Sequence, residues 1–549
     1  MITRTRLLLA LVFTGAFSLC GAAIYDVSGV VFDSQSQKPL ANVRVLLAPV
    51  TARVQKLEQV TKQDGRFSFV VSEAGKYTLQ ITKPGYPMQS YWQASFAGVS
   101  SAIAVRDDQD TSHIVFPASR GGVISGQIKD DDSEPVSNAI VTIFQQGVVD
   151  GERKIISGRQ AQTNAVGEFR FAGLRRGSYY VCAMGRPWFA DSLTQLQHMP
   201  ADDKTSLPQY SPDPGFRGSA FVTTFFPRAQ TIEDAGLVRL DAGGEAQASI
   251  TLPLTKAVTI KGSIASSGEM SAGRANLLKK VYDQYVSFLQ EAVAKDGTFQ
   301  LKNVPPGSYE IMATSDAASG ASSWNVGQEV EVGTSDMEVT LRPRPMGAMI
   351  GHVIFDGERP AASVSLFVIL HNDKGNAARL QVDSEGDFSL SRILPGRYEV
   401  TAGSSGYIAS YFAGPSGERL PLTLEIASGE TIHRDLMLTK AVSVIEGTVE
   451  KTGMPQVGAF VLLMPKNPSD RWAYRFDQSD SDGSYHLATI PAGDYFLIAL
   501  TDGSDVLYRD AKVAATLARA GKPLHIEPGD HLNQKVDVVN TASLNLPSP

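Results

Sequence analysis

Apolar and polar positions alternate along this chain over short stretches, as in Phe388-Ser389-Leu390 and Tyr398-Glu399-Val400-Thr401-Ala402. A period of two sends successive side chains to opposite faces of a strand, so these stretches predict half-buried antiparallel strands. Recurring turns cut the strands. A Gly followed two residues later by an aromatic occurs at Gly65/Phe67, Gly167/Phe169, Gly297/Phe299, Gly386/Phe388 and Gly483/Tyr485. A second Gly followed by Tyr occurs at Gly75/Tyr77, Gly177/Tyr179, Gly307/Tyr309, Gly396/Tyr398 and Gly493/Tyr495. The first Gly and the Tyr stand 12 residues apart in all five copies. Each copy opens upstream on a Gly among β-branched residues, at Gly29, Gly126, Gly262, Gly351 and Gly447. A spacing held five times predicts five copies of one supersecondary unit, numbered units 1 to 5 here in chain order. Within each, Gly permits the turn backbone. The repeated Tyr is expected to bury its ring at a sheet corner and tie its hydroxyl to nearby backbone.

The expected fold class is therefore all-β: an elongated tandem array of five antiparallel β-sandwiches with a short C-terminal helix. The expected divisions are 24–117, 118–255, 256–343, 344–440 and 441–549, with an insertion at about 185–219 in the second. Asn276 to Ala294 has helix-forming composition, but its register against unit 4 predicts two strands joined near Asp283. A helix is expected near Ala511 to Arg519, ended by Gly521. Unit 1 departs from the others, with Ser72 where they place Leu174, Val304, Ile393 and Ile490, and a looser second turn is expected there. On the strand face opposite the repeated Tyr, units 1 and 4 are polar (Thr78 and Gln80; Glu399 and Thr401), whereas units 2 and 5 are apolar. The apolar faces, Tyr180, Cys182 and Met184 and then Phe496, Ile498 and Leu500, require cover. The 185–219 insertion is the expected cover for unit 2 and the C-terminal segment for unit 5.

Gly-x-Val, then Asp-Gly-x-Phe, then Pro-Gly-x-Tyr, repeated at this spacing, resembles tandem carboxypeptidase regulatory-like domains, an immunoglobulin- or transthyretin-like sandwich related to collagen-adhesin B-type repeats. The resemblance covers most of the chain after residue 23. It implies an exported bacterial multi-domain protein and, through a fold group that includes carbohydrate-binding modules, a carbohydrate or envelope-protein partner. It implies no particular reaction, because one fold serves many functions.

Composition sharpens this. The 549 residues exceed what one core can organise, and 43% hydrophobic with 19% charged residues is a globular balance. A net charge of −7 with no strongly basic block argues against nucleic acid. Arg4 and Arg6 followed by the apolar run Leu7 to Leu19 and the small residues Gly21-Ala22-Ala23 predict a signal peptide over residues 1–23. The expected location is thus the periplasm, cell surface or exterior, with lipidation of Cys20 as a minor alternative. No later stretch approaches the ~20 apolar residues of a membrane span. After cleavage only Cys182 remains, which leaves no intrachain disulfide to form.

Candidate chemistry is sparse. None of the eight histidines has Glu three positions later, and no His-Glu-x-x-His, Gly-x-Ser-x-Gly or phosphate-loop pattern occurs. Asp477, Asp480 and Asp482 crowd oxygen ligands before Gly483 as a calcium loop would, but an acidic hairpin turn is the simpler account. His525 and His531 flank Gly529, and a solvated turn explains them better than a metal pair. The expectation is a non-enzymatic chain with no cofactor. What distinguishes the copies is the aromatic content after the Tyr strand: Tyr91 and Trp92, Trp188 and Phe189, Tyr407 and Tyr411. These six are the candidate ligand contacts, since exposed rings stack on sugars or anchor partners; alternatively they fill seams between sandwiches. The expected function is a carbohydrate- or envelope-binding scaffold, or else a purely structural spacer or assembly module.

Overall fold

The computed structural model describes residues 24–50, 56–93, 100–187, 218–265, 273–281, 284–315, 325–342, 346–356, 366–372, 377–404, 406–503 and 505–546. Strands dominate, and the one α-helix among the described residues is Ala511–Ala520. In every unit the opening strand pairs antiparallel with the strand that follows the first turn. The register is the same each time: the opening Gly faces the turn aromatic, as Gly29 with Phe67, Gly126 with Phe169, Gly262 with Phe299, Gly351 with Phe388 and Gly447 with Tyr485.

A side chain cannot replace that Gly. A Cβ on Gly351 would lie 1.8 Å from the Arg434 carbonyl oxygen, one on Gly447 would lie 1.8 Å from that of Gln534, and one on Gly262 would lie 1.9 Å from the Phe299 ring. At Gly351 and Gly447 the crowding arises because the opening strand also takes a parallel partner on its other edge, from the end of the same unit, whereas at Gly262 it comes from the facing turn aromatic. The parallel partner is Ile114–Ala118 in unit 1, Met337–Leu341 in unit 3 and Val536–Val539 in unit 5.

The second sheet of each sandwich is built on the Tyr strand. Gly75–Lys83 pairs with Arg44–Pro49, Gly177–Met184 with Ile140–Val149, Gly307–Ser315 with Gly273–Val281, Gly396–Ser404 with Phe367–Asn372, and Gly493–Leu500 with Phe460–Pro465. Alternate residues of both sheets meet in a separate core for each unit, such as Val27, Val45, Phe67, Leu79 and Phe116 in unit 1. Unit 3 adopts the two strands expected of Asn276 to Ala294, Gly273–Val281 and Gln284–Val293, paired antiparallel. Burial of Leu277 and Leu289 between the sheets outweighs the local helix preference.

Six residues after the turn Gly, units 2 to 5 place a positive φ: Gly173 at 70°, Asn303 at 57°, Arg392 at 64° and Thr489 at 59°. In all four the ladder register shifts beside this residue, the mark of a β-bulge. Unit 1 has no such residue at Val71, and its ladder runs without a shift, so the departure at Ser72 marks a lost bulge.

Both apolar faces are covered. Asp510 caps the helix Ala511–Ala520 by accepting from the Lys512 and Val513 N–H groups at 2.9 and 3.1 Å. Val513 and Leu517 then pack on Phe460, Leu462, Ile498 and Leu500, as expected for the C-terminal segment, and Ile498 is 1% exposed. Gly521 ends the helix in extended backbone, its N–H donating to the Leu517 carbonyl at 2.8 Å. In unit 2, Cys182 is likewise 1% exposed. Of the segment expected to cover it, residues 188–217 lie outside the described residues. The described cover comes from Phe225 and Ile232 and, across the seam, from Val286 of unit 3.

The units form an elongated array. Its last unit nevertheless turns back on the first two. Trp92 of unit 1 lies against Gly458 of unit 5, and the Tyr508 ring of unit 5 sits over Gly151, at the tip of a long hairpin of unit 2. Residues 1–23, the expected signal peptide, lie outside the described residues. Among the described residues no helix is long and apolar enough to cross a membrane.

Candidate functional site

The repeated tyrosines close the second turn of each unit. The hydroxyls of Tyr77, Tyr179, Tyr398 and Tyr495 each donate to the carbonyl four residues back, Glu73, Arg175, Leu394 and Pro491, at 2.6 to 2.8 Å. Tyr309 is the exception: its hydroxyl is buried with no hydrogen-bond partner among the described residues, and the Lys279 ammonium lies 5.0 Å from its ring centre. Burial pushes Tyr179 up to about 12 and the Cys182 thiol up to about 12. A thiol held that high and shut from water is chemically inert.

The candidate aromatics fall in two places. Tyr91 belongs to the unit 1 core, 5.9 Å from Phe116 and edge-on to Trp92 at 6.4 Å. Trp92, held at φ 49°, is 44% exposed, and its ring would lie 3.0 Å from a Cβ on Gly458. Its carbonyl accepts from the Gln478 amide of unit 5. Trp92 thus sits on the junction between units 1 and 5 with part of its ring open. In unit 4, Tyr407 is buried edge-on to Phe355 at 5.2 Å, and half-buried Tyr411 carries the Arg419 guanidinium 4.8 Å from its ring centre. Trp188 and Phe189 lie outside the described residues.

The polar candidates disperse. Asp477 accepts from the His486 and Gln478 N–H groups, both at 2.8 Å, whereas Asp480 and Asp482 point to unit 1. Among the described residues no group of three acidic, His or Cys side chains is arranged to hold a metal ion. His525 turns from His531 to Asp494 at 2.7 Å and Glu527 at 3.0 Å, and the bond to Asp494 raises its pKa above the ordinary imidazole value. Unit 4 has an open groove of about 510 Å³ lined by His352, Asp383, Asp387, His433 and Asp435. There Asp383 is consumed by its own turn and His352 by Asp387 at 2.8 Å. Alternation could not have flagged this groove, because its polar residues face solvent on four strands and a turn.

Residues 26–115 match the model of the carboxypeptidase regulatory-like domain. Over that stretch unit 1 is similar to a carboxypeptidase regulatory-like domain. The other four units repeat its turn pair and its Gly–aromatic register, so the array is a tandem repeat of one structural unit. None of the curated proteins matches the chain in sequence. Similar solved structures include the Bacillus anthracis TIE protein, 11% identical over 78% of this chain and 76% of that one, with a TM-score of 0.17. The minor pilin of Streptococcus agalactiae is 14% identical over 34% of this chain and 96% of its own, at a TM-score of 0.21. Two B repeat units of the collagen-binding protein of Staphylococcus aureus are 12% identical over 76% and 99%, at a TM-score of 0.12. At such values what those proteins bind does not transfer to this one.

Proposed function

We propose that the protein is an exported, non-enzymatic scaffold of the cell envelope, cut after residue 23 and placed in the periplasm, at the surface or outside the cell. Its divisions are those expected from the repeat, 24–117, 118–255, 256–343, 344–440 and 441–549. The observation that carries this reading is the engagement of its distinctive side chains in seams. Cys182 and Met184 share a buried cluster with Val286 of unit 3, Trp92 abuts Gly458, and Tyr508 abuts Gly151. A chain whose special residues hold its own units in place is suited to presenting surfaces at fixed geometry, with an envelope protein as partner.

The open part of the Trp92 ring and the Arg419-backed Tyr411 favour a second reading, carbohydrate binding, since partly exposed rings stack on sugar faces. Glycan-array and cell-wall binding of residues 24–549 separates the two. The scaffold reading expects no saturable glycan binding by the folded protein. Saturable binding that is lost in Trp92→Ala or Tyr411→Ala would replace it with the carbohydrate reading.

A further inference from the structure

The first turn of each unit has one chemistry in units 2 and 4 and another in unit 5. Three residues before the turn Gly, Asn164 of unit 2 accepts from the N–H groups of Val166 and Glu168 at 3.1 and 2.8 Å. Asp383 of unit 4 accepts from those of Glu385, Gly386 and Asp387 at 2.9, 2.9 and 2.8 Å. Both side chains cap their own turn. Asp480 holds the same place in unit 5, yet its carboxylate leaves the turn. One oxygen accepts from the Ala102 N–H of unit 1 at 2.6 Å, and the other pairs with the Lys76 ammonium at 2.6 Å. Asp482 pairs with Arg106 at 2.7 Å.

Between these two ion pairs the two segments join through backbone groups and two serine hydroxyls. The Ser481 N–H donates to the Ala102 carbonyl at 3.0 Å, the Ala104 N–H to the Ser481 hydroxyl at 3.0 Å, and the Ser101 hydroxyl to the Ser479 carbonyl at 2.8 Å. Ser101, Gln478, Ser479, Asp480 and Asp482 are all buried. Unit 1 therefore offers a short stretch of backbone, Ser101–Ala104, flanked by two cations, and unit 5 fills it with a turn that carries two anions at matching spacing. This is how a peptide is recognised: main-chain bonds hold it, and flanking charges select it.

We propose that unit 1 carries a recognition site for an acidic turn, built from Lys76, Arg106 and the backbone of Ser101–Ala104, and that Gln478–Asp482 of unit 5 occupies it in cis as a releasable clasp. Release is expected because hydrogen bonds and ion pairs make up most of the contact, with Val457 of unit 5 and Trp92 as its apolar part, and an inter-domain interface that is not large and hydrophobic opens and closes rather than forming a permanent core. Desolvation raises the Asp480 carboxyl against the pull of Lys76, so the buried anion is held at a cost that opening relieves. The site does not depend on what the array binds elsewhere.

The test uses residues 24–549 throughout. Asp480→Asn/Asp482→Asn keeps the turn's shape and removes its charge. Lys76→Ala/Arg106→Ala acts from the other side at half-exposed positions where unit 1 loses no core contact. Both pairs are expected to enlarge the radius of gyration in small-angle X-ray scattering while the far-ultraviolet circular dichroism stays that of wild type. A synthetic peptide of residues 475–486 should then bind the Asp480→Asn/Asp482→Asn chain about tenfold or more tighter than wild type, whose site is filled, and lose that binding when Lys76→Ala/Arg106→Ala is added. Scattering and peptide affinity equal to wild type in both variants would overturn the clasp. Forward scattering of a wild-type dimer whose mass is halved by either pair would overturn the cis arrangement and place the turn in a second copy.

Discussion

The repeated tyrosine does its work through one hydrogen bond, and the five copies contain their own control. Tyr495→Phe leaves the buried Pro491 carbonyl without its donor and is expected to cost about 1–2 kcal/mol. Tyr309→Phe removes a buried hydroxyl that has no partner among the described residues and is expected to be neutral or stabilising. Urea melts of the two variants check the contrast. His525 gives a second residue-scale prediction. Its folded pKa is raised by Asp494, so its contribution to stability is present below the ordinary imidazole pKa and is lost as pH rises through the raised value. An NMR titration should place it above the ordinary value and return it toward that value in Asp494→Asn. The tyrosine role was legible because spacing alone fixes a corner four residues long. The contact of Trp92 was not, since Gly458 lies at the other end of the chain.

At the scale of elements, the opening Gly and the C-terminal helix are the points where a small change is felt most. Gly447→Ala drives a Cβ toward the Gln534 carbonyl and should cost about 1–3 kcal/mol as the parallel strand is pushed away. Leu517→Ala removes the helix residue that seals Ile498 and Leu500 and should cost about 2–5 kcal/mol, with a cooperative melt shifted down by calorimetry. Period-two alternation and fixed turns reveal that strands exist, and even reclaim unit 3 from its helix-like composition. They do not encode direction, which is why the parallel closing strands at Ile114–Ala118 and Val536–Val539 went unforeseen. The cover of unit 5 was legible because an apolar face and an amphipathic segment lay side by side in sequence. The cover of unit 2 was not, because Val286 arrives from the next unit.

Taken whole, the molecule is an elongated array whose fifth unit returns to the first two. Repetition makes five sandwiches visible in the sequence but says nothing of which distant units touch, because contacts between units use residues that differ from copy to copy. Asp480 and Asp482 read locally as an acidic turn, and only the placement of Lys76 and Arg106 gives them a partner. The closure is the central claim, and proximity tests it most directly. The Ser481 hydroxyl lies 3.0 Å from the Ala104 N–H, and the native thiol of Cys182 is sealed from solvent. Residues 24–549 carrying Ala104→Cys and Ser481→Cys, oxidised mildly at low protein concentration, should form an intramolecular disulfide that shifts the monomer on a non-reducing gel and is lost in Lys76→Ala/Arg106→Ala. A chain that stays reduced, or forms only disulfide-linked dimers, would contradict the closed arrangement.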